Sequence, residues 1–424
     1  MKPKITNHDQ DLFFQPRLSR LLNPENPLFI LSRQIDWNSL ENEFEGLFIE
    51  TKGAPAKPVK LVVGLLMLQH MFGYSDEGVV EEWVENPYWQ FFCGYDFLQW
   101  KPPIHPSSLV KWRRRLKPEG LEKILSITVQ TALRVGMIKP SALKDVIADT
   151  TVMPKNISFP TDSKLYFQGI KILVRLAKNW NIPLRQTYCF LSKRALRRAQ
   201  KYAHARQMKK AKRECKRLKT YLRRVFRNIK RQIIEKDFLE KIFAPYLEII
   251  EKVLNQTKES KNKVYSIHEP HTKCIAKGKA HKKYEFGCKA SIVMAHKKGI
   301  ILSAKALDGN PYDGHTLKHV LENAESASGI EIEKVFVDRG YRGHLVSGKK
   351  VYISGQRRLS RWFKGLLKRR QAIEPHIGHM KSEGKLGINY LKGILGDKLN
   401  TILCGIGYNL RLIWRFICGR LALA

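Results

Sequence analysis

Three acidic residues in this sequence stand where a carboxylate could do chemistry. Asp149 follows the apolar run VIA and opens DTT, and Asp338 follows VFV and opens DRGYRG. Each reads as the end of a short strand, so each side chain should emerge at the edge of a sheet, where α/β folds bind their substrates. A single Asp at such a place is commonly only a turn cap, so a third acid has to decide. Glu374, in RRQAIEPHIGHMK, is that acid. At about 100° per residue, Arg370, Glu374, Ile377 and Lys381 fall within an arc of roughly 60° on a helix. Arg one turn before the acid and Lys two turns after it suit a group that grips a phosphodiester while activating it. The alternative is an ordinary Arg/Glu surface pair. Pro375 allows a second placement, with Glu374 at a helix start and Arg370 off its face. Three such carboxylates have the oxygen chemistry to hold two Mg²⁺ ions, with Mn²⁺ as a substitute, about 3.5 to 4 Å apart for phosphoryl transfer.

Other groups compete for attention. Asp145 shares a strand face with Asp149 but lies about 13 Å upstream by strand rise, too far for the same metal. Asp308 and Asp313, in LDGNPYDGHT, also follow a strand, and a turn role is the main expectation for both. His268, His271 and Cys274 in HEPHTKC have zinc-like spacing without a fourth ligand nearby. His376 and His379 flank the third acid and read as satisfied helix residues rather than phosphate contacts.

The elements that must position the acids follow from periodicity. Alternation in KDVIADTTV predicts a strand ending near Thr151. KYEFGCKASIVMA and GIILSAKAL, separated by HKKG, predict a hairpin. HTLKHVLENAESA reads as a helix, EKVFVD as a fourth strand and KKVYIS as a short fifth. The fold class is therefore α/β, and the first and fourth strands would be neighbours in a sheet of the ribonuclease H type. Residues 164–253 read as long helices interrupting this order. Residues 1–56 mix aromatics with Pro and end in the linker-like TKGAPAKP. Residues 57–140 read as an all-α block whose third helix, LVKWRRRL, suits a helix-turn-helix-like module, with plain helical packing as the rival.

Charge supplies the partner. The 424 residues carry a formal net charge of +39, which attracts a polyanion without reading its sequence. Between Lys193 and Arg231 there are 18 Lys or Arg and one Glu, a local net of +17. Leu218, Leu222, Val225, Ile229 and Ile233 recur there at helical spacing, so the run is expected to be a helix with a buried stripe. Lys193, Arg194, Arg197, Arg198, Lys209, Lys210, Arg213, Arg223 and Arg224 are its candidate DNA-backbone contacts. Seven scattered cysteines with no Cys-x-x-Cys fit a reducing compartment. The start of the chain carries no secretory pattern. The apolar C-terminal stretch is broken by Arg411, Arg415 and Arg420, which predicts a buried or amphipathic helix, not a membrane span.

The acids, together with DTTVMPKN, KYEFGCK, VDRGYRG, RRQAIEPHIGHMK, INYLKG and GYNLR, resemble the DDE transposases of bacterial insertion sequences, specifically the insertion-sequence-five type. The resemblance runs from about residue 10 to 415. It implies a ribonuclease H-like catalytic domain over 141–424, interrupted by a basic helical insertion at 160–260, and a DNA-binding N-terminal region. It also implies metal-dependent cleavage and strand transfer at element ends bearing terminal inverted repeats, and joining to target DNA. A homodimer or higher assembly on DNA ends and a cytoplasmic, nucleoid-associated location go with that activity. The family signature places Tyr three residues before its Arg, and this chain has Leu367 there. Two other readings use the same residues: a nuclease that cuts without joining, and a catalytically decayed DNA-binding protein.

Overall fold

The computed structural model describes residues 15–47, 56–276, 283–356 and 360–422. Most of the linker-like TKGAPAKP segment lies outside them. The chain divides into two compact units, one formed by residues 1–154 and 288–424 and the other by 155–287.

The first unit contains most of a mixed sheet. Its strands are β1 (Asp145–Pro154), β4 (Ile301–Leu307), β5 (Lys334–Val337), β6 (Lys350–Ile353) and the greater part of β3 (Tyr284–Ala295); the short β2 (Lys273–Ala276) pairs with the opening residues of β3 in the second unit. β4 and β3 form the expected antiparallel hairpin, β3 lies beside β1, and β1, β5 and β6 follow in parallel. The predicted first and fourth strands are thus neighbours, with Ile147 opposite Phe336. β1 runs to Pro154, past the end expected near Thr151. Asp149 therefore sits inside a strand, two residues beyond the last β1–β5 pair, because the long β3 supports β1 after the short β5 has ended.

Alternation on these strands fills two cores. Val146 and Ala148 of β1 and Val335 and Val337 of β5 face one, shared with the helices Val59–Phe72, Ser107–Arg134 and Gly393–Leu421. Ile147 and Phe336 face the other, shared with Ile373, Ile377 and Met380. Residues 57–140 have no core of their own: Leu65, Trp83 and Leu109 belong to the cluster that includes the sheet. In the first of these helices nearly every side chain is buried, which is why its sequence is apolar on all sides. Ser75 caps the next helix, its Oγ accepting from Gly78 N–H at 2.9 Å. The LVKWRRRL helix stops at Lys117, whose φ of 57° ahead of Pro118 separates it from the following helix. The C-terminal helix is buried, with Arg411 Nη1 donating to the carbonyls of His70 and Met71 at 2.8 and 2.9 Å. No helix among the described residues is long and apolar enough to cross a membrane.

The second unit is built on the helices Asp162–Asn179, Cys189–His204, Met208–Ile233 and Asp237–Asn255. The basic run, expected as one helix, is two. The chain turns between them at Arg206, in the left-handed region at φ 57°. The predicted stripe holds: Leu218, Leu222, Val225, Ile229 and Ile233 are all buried in this unit's own core. Their 3.6-residue spacing leaves the remaining positions, mostly Lys and Arg, to solvent.

Candidate active site

Register brings two of the three acids together. Asp149 and Asp338 each lie two residues beyond the paired Ile147 and Phe336, and side chains alternate along a strand, so both carboxylates share the face on which Ile373 and Ile377 pack. Asp338 directly follows β5, as its apolar VFV run requires. Arg370 stands between them, 4.0 Å from Asp149 Oδ2 and 3.9 Å from Asp338 Oδ1, and is only 9% exposed. At an effective dielectric near 20, charges 4 Å apart interact by about 4 kcal/mol. That value is reduced at Asp338, whose side chain is half exposed. The guanidinium offsets the repulsion of two carboxylates that the sheet forces to face the same way.

The position of Arg370 has an identifiable cause. The expected continuous helix is broken into Arg361–Lys368, a 3-10 turn at Arg369–Ala372 and a second helix, Ile373–Ser382. Phe363 stacks on Tyr352, which stacks on Phe336 of β5, with ring centroids 4.8 and 5.3 Å apart. His296 Nε2 lies 3.0 Å from the Leu366 carbonyl. These contacts hold the first helix on the sheet face, and the tight turn after it directs Arg370 inward. Leu367, at the signature Tyr position, is half-buried among the apolar residues of this face.

Glu374 lies in the first turn of Ile373–Ser382, with Pro375 beside it where proline is tolerated. Arg370 and Glu374 therefore do not share an α-helical face, and the i,i+4 arrangement gives way to the second placement that Pro375 allowed. Glu374 is exposed, whereas Ile377 packs inward. The three acids do not converge: among the described residues no group of three His, Cys, Asp or Glu could hold a metal ion. Lys381 occupies the last turn of the same helix.

That helix is anchored from two sides. His376 Nδ1 is hydrogen-bonded to the Tyr408 hydroxyl of the C-terminal helix, and its ring lies against Gly299 of the β3–β4 turn. Gly299 has φ +70°, and a Cβ there would fall 2.3 Å from the His376 ring, so only glycine fits. Burial lowers the pKa of His376, in keeping with a packing role. His379 pairs with Glu383 at 2.7 Å.

The competing acids are each matched by a lysine. Asp145 pairs with Lys334 at 3.1 Å, Asp308 with Lys398 at 3.2 Å and Asp313 with Lys289 at 2.6 Å. In the zinc-like segment, His271 and Glu269 lie 3.4 Å apart and Lys155 contacts Glu269 at 3.2 Å, an ion-pair cluster. One neighbour of the acid pair escaped sequence reasoning. Tyr341 of DRGYRG is buried, and burial, with Asp149, Asp313 and Asp338 around it, pushes its phenol well above the usual value. Its place in the quoted motif was the available signal.

The nine basic residues singled out between Lys193 and Arg224 lie on the two helices of the second unit. All are exposed except Arg198, which is half-buried. Arg224 donates to the Tyr188 hydroxyl at 3.1 Å, and Tyr188 stacks on Tyr221 with centroids 4.8 Å apart.

An acid pair at adjacent parallel strands, served by an inward arginine and accompanied by a strongly basic surface, defines a class: enzymes acting on the phosphodiester backbone of nucleic acid. Comparison with known proteins sharpens the class. Residues 16–115 match the family described as "Transposase domain (DUF772)", and residues 256–410 match "Transposase DDE domain". The second match contains Asp338, Arg370, Glu374 and Lys381; Asp149 lies between the two matched segments. The chain is also 46% identical over 207 residues to "Uncharacterized protein ORF8 in nfe locus" of Rhizobium meliloti, covering 49% of this chain and all of that protein. No solved structure matches. The chain belongs to the DDE transposases, enzymes that cleave and transfer DNA.

Proposed function

We propose that the protein cuts DNA at the ends of an insertion sequence of the insertion-sequence-five type and joins those ends to target DNA. The observation that carries this reading is the in-register pair Asp149 and Asp338 with Arg370 between them. The strand order β4-β3-β1-β5-β6, with β1 parallel to β5, supports a ribonuclease H-like catalytic domain. The site fits divalent cations. Two carboxylates face one side of the sheet, their oxygens suit Mg²⁺ or Mn²⁺, and a buried cationic side chain between them marks a place of strong negative potential. Asp149 and Asp338 would hold such ions, and Glu374, which stands apart from them, would have to move in to complete the set; the ions would supply activation of the attacking oxygen and charge neutralisation at the leaving oxygen.

The chain's other groups do the rest. Arg370, with a planar fork of donors, holds a non-bridging phosphate oxygen close to the acid pair. Lys381 grips the strand from the far end of the Glu374 helix, and Tyr341 keeps the base of the site dry. The N-terminal helices and the exposed Lys and Arg of the second unit hold the duplex backbone at terminal inverted repeats. Two copies of the chain, each with one active site, pair the two element ends. In a strand-transfer assay with pre-cleaved inverted-repeat ends, a target plasmid and Mg²⁺, the expected product is a covalent joint. Nicking without joining would instead make the protein a nuclease, and DNA binding without nicking would make it a decayed binding protein.

A further inference from the structure

The second unit leaves an apolar seam uncovered on the helix Asp237–Asn255. That helix packs Phe243, Ile250, Val253 and Leu254 into the unit's own core. Beside this face runs a second row, Phe238, Ile242, Pro245 and Ile249, spaced four, three and four residues apart, and Lys252 ends it. Alternating threes and fours is the heptad spacing by which one helix offers a seam to another. Ile242 and Ile249 are half-buried at the edge of the core, whereas Pro245 is exposed and Phe238 is 65% exposed. The apolar surface continues onto Trp180, itself exposed, whose ring meets that of Phe238 edge-on with centroids 5.3 Å apart.

The surrounding charge says what can cover the seam. Among the four helices described for this unit, this one alone has more acids than bases: Asp237, Glu240, Glu248 and Glu251 against Lys241 and Lys252, a net of 2 − 4 = −2. A phosphate backbone is repelled there, so the seam is no part of a DNA-holding surface. A second copy of the chain cannot approach through the Lys- and Arg-rich helices without strong repulsion, but it can approach here. Two flanking residues then fix the arrangement. Lys241 and Glu248 are exposed and seven residues apart, so both lie on the same flank of the seam. In a parallel pair they would face Tyr246 and Val253 on the other flank, and their charges would go unused. In an antiparallel pair the same flanks meet. Phe238 then lies opposite Ile249 of the second copy, Ile242 lies opposite Pro245, and Lys241 of each copy comes beside Glu248 of the other.

We propose that the helix Asp237–Asn255 is the surface through which two copies of this chain associate, antiparallel and related by a two-fold axis. Phe238, Ile242, Pro245 and Ile249 form the seam, and two reciprocal Lys241–Glu248 pairs set its register. A two-fold contact uses the same patch twice, so every charge is matched without a second kind of partner. The assignment rests on the reading in which two copies pair two element ends and deepens it by naming the surface. Four seam residues per copy make a small interface, so the free dimer is expected to be weak, with a Kd on the order of micromolar. DNA ends held by both copies would strengthen it through effective concentration.

Sedimentation equilibrium of the purified full chain without DNA, at physiological salt and from about 1 to 100 µM, tests this. The parent should dimerise across that range and Phe238→Glu should stay monomeric. The three positions changed are exposed, so the variants should fold, which an unchanged circular dichroism spectrum checks. Lys241→Glu and Glu248→Lys each set like charges against one another twice and should weaken association at least tenfold. The double reversal should restore it. So should an equimolar mixture of the two single variants, because each copy then supplies the charge the other lacks. A parent that stays monomeric over the whole range, a dimer unchanged by Phe238→Glu, or single variants that do not rescue each other overturns the proposal. Strand transfer is scored separately. A parent that dimerises in this way but joins no DNA removes only the transposition reading, and one that joins DNA through a contact insensitive to these charges removes only this interface.

Discussion

The two units place the same kind of charge in opposite settings. In the first, a single arginine is buried between two aspartates, held by a tight turn and a stack of aromatic rings. In the second, Lys and Arg ride outside a stripe of Leu, Val and Ile, and their solvent-facing neighbours are cationic too. A buried charge is costly to move and so fixes a position; an exposed one is cheap to place and so supplies attraction without geometry. On the proposed reading, the protein separates holding DNA from acting on it by the depth at which it puts its cations.

That contrast can be broken most sharply at the acids. Asp149→Asn or Asp338→Asn should lower cleavage on the order of 10⁴-fold while leaving element-end binding intact by gel shift. Loss of binding in step with cleavage would mean that the buried charges hold DNA as well. On the other side, changing Lys209, Arg213, Arg223 and Arg224 together to Gln should weaken duplex binding. The slope of log affinity against log salt should become shallower by roughly 3 to 4, at about 0.9 per lost phosphate contact. An unchanged slope would return those helices to a merely solvated face. The smallest effect concerns buried charge in the first unit. Burial depresses the pKa of His70, so the folded state binds fewer protons there than the unfolded chain. The stabilisation is complete above the ordinary value near 6.5 and is lost as pH falls below it, at no more than about 1.4 kcal/mol per pH unit. Thermal melts from pH 7.5 to 5 should show that slope, and His70→Gln should flatten it.

The strands that carry Asp149 and Asp338 were legible because both are short apolar runs with β-branched residues, and the hairpin because HKKG interrupts two such runs. The extent of β1 was not legible, since it depends on β3, a partner more than 130 residues away in the chain. Arg370 was singled out on a geometry that the fold replaces. A helical wheel assumes one continuous helix, and the 3-10 turn that sends the guanidinium inward is imposed by packing on β5 and β6. The basic run read as one helix because nothing in its composition marks the left-handed turn at Arg206.

Sequence by itself determined what is local: the short apolar strands that lead to Asp149 and Asp338, the stripe under the basic surface and the chemical class of the partner. Only the tertiary structure decided what is relational: that β1 and β5 pair so as to bring Asp149 and Asp338 together, that Arg370 stands between them, that each competing acid has its own lysine, and that His70 is buried. The reason is physical. Periodicity and charge are properties of neighbours along the chain, whereas register, burial and proton position are set by groups that meet only when distant segments pack.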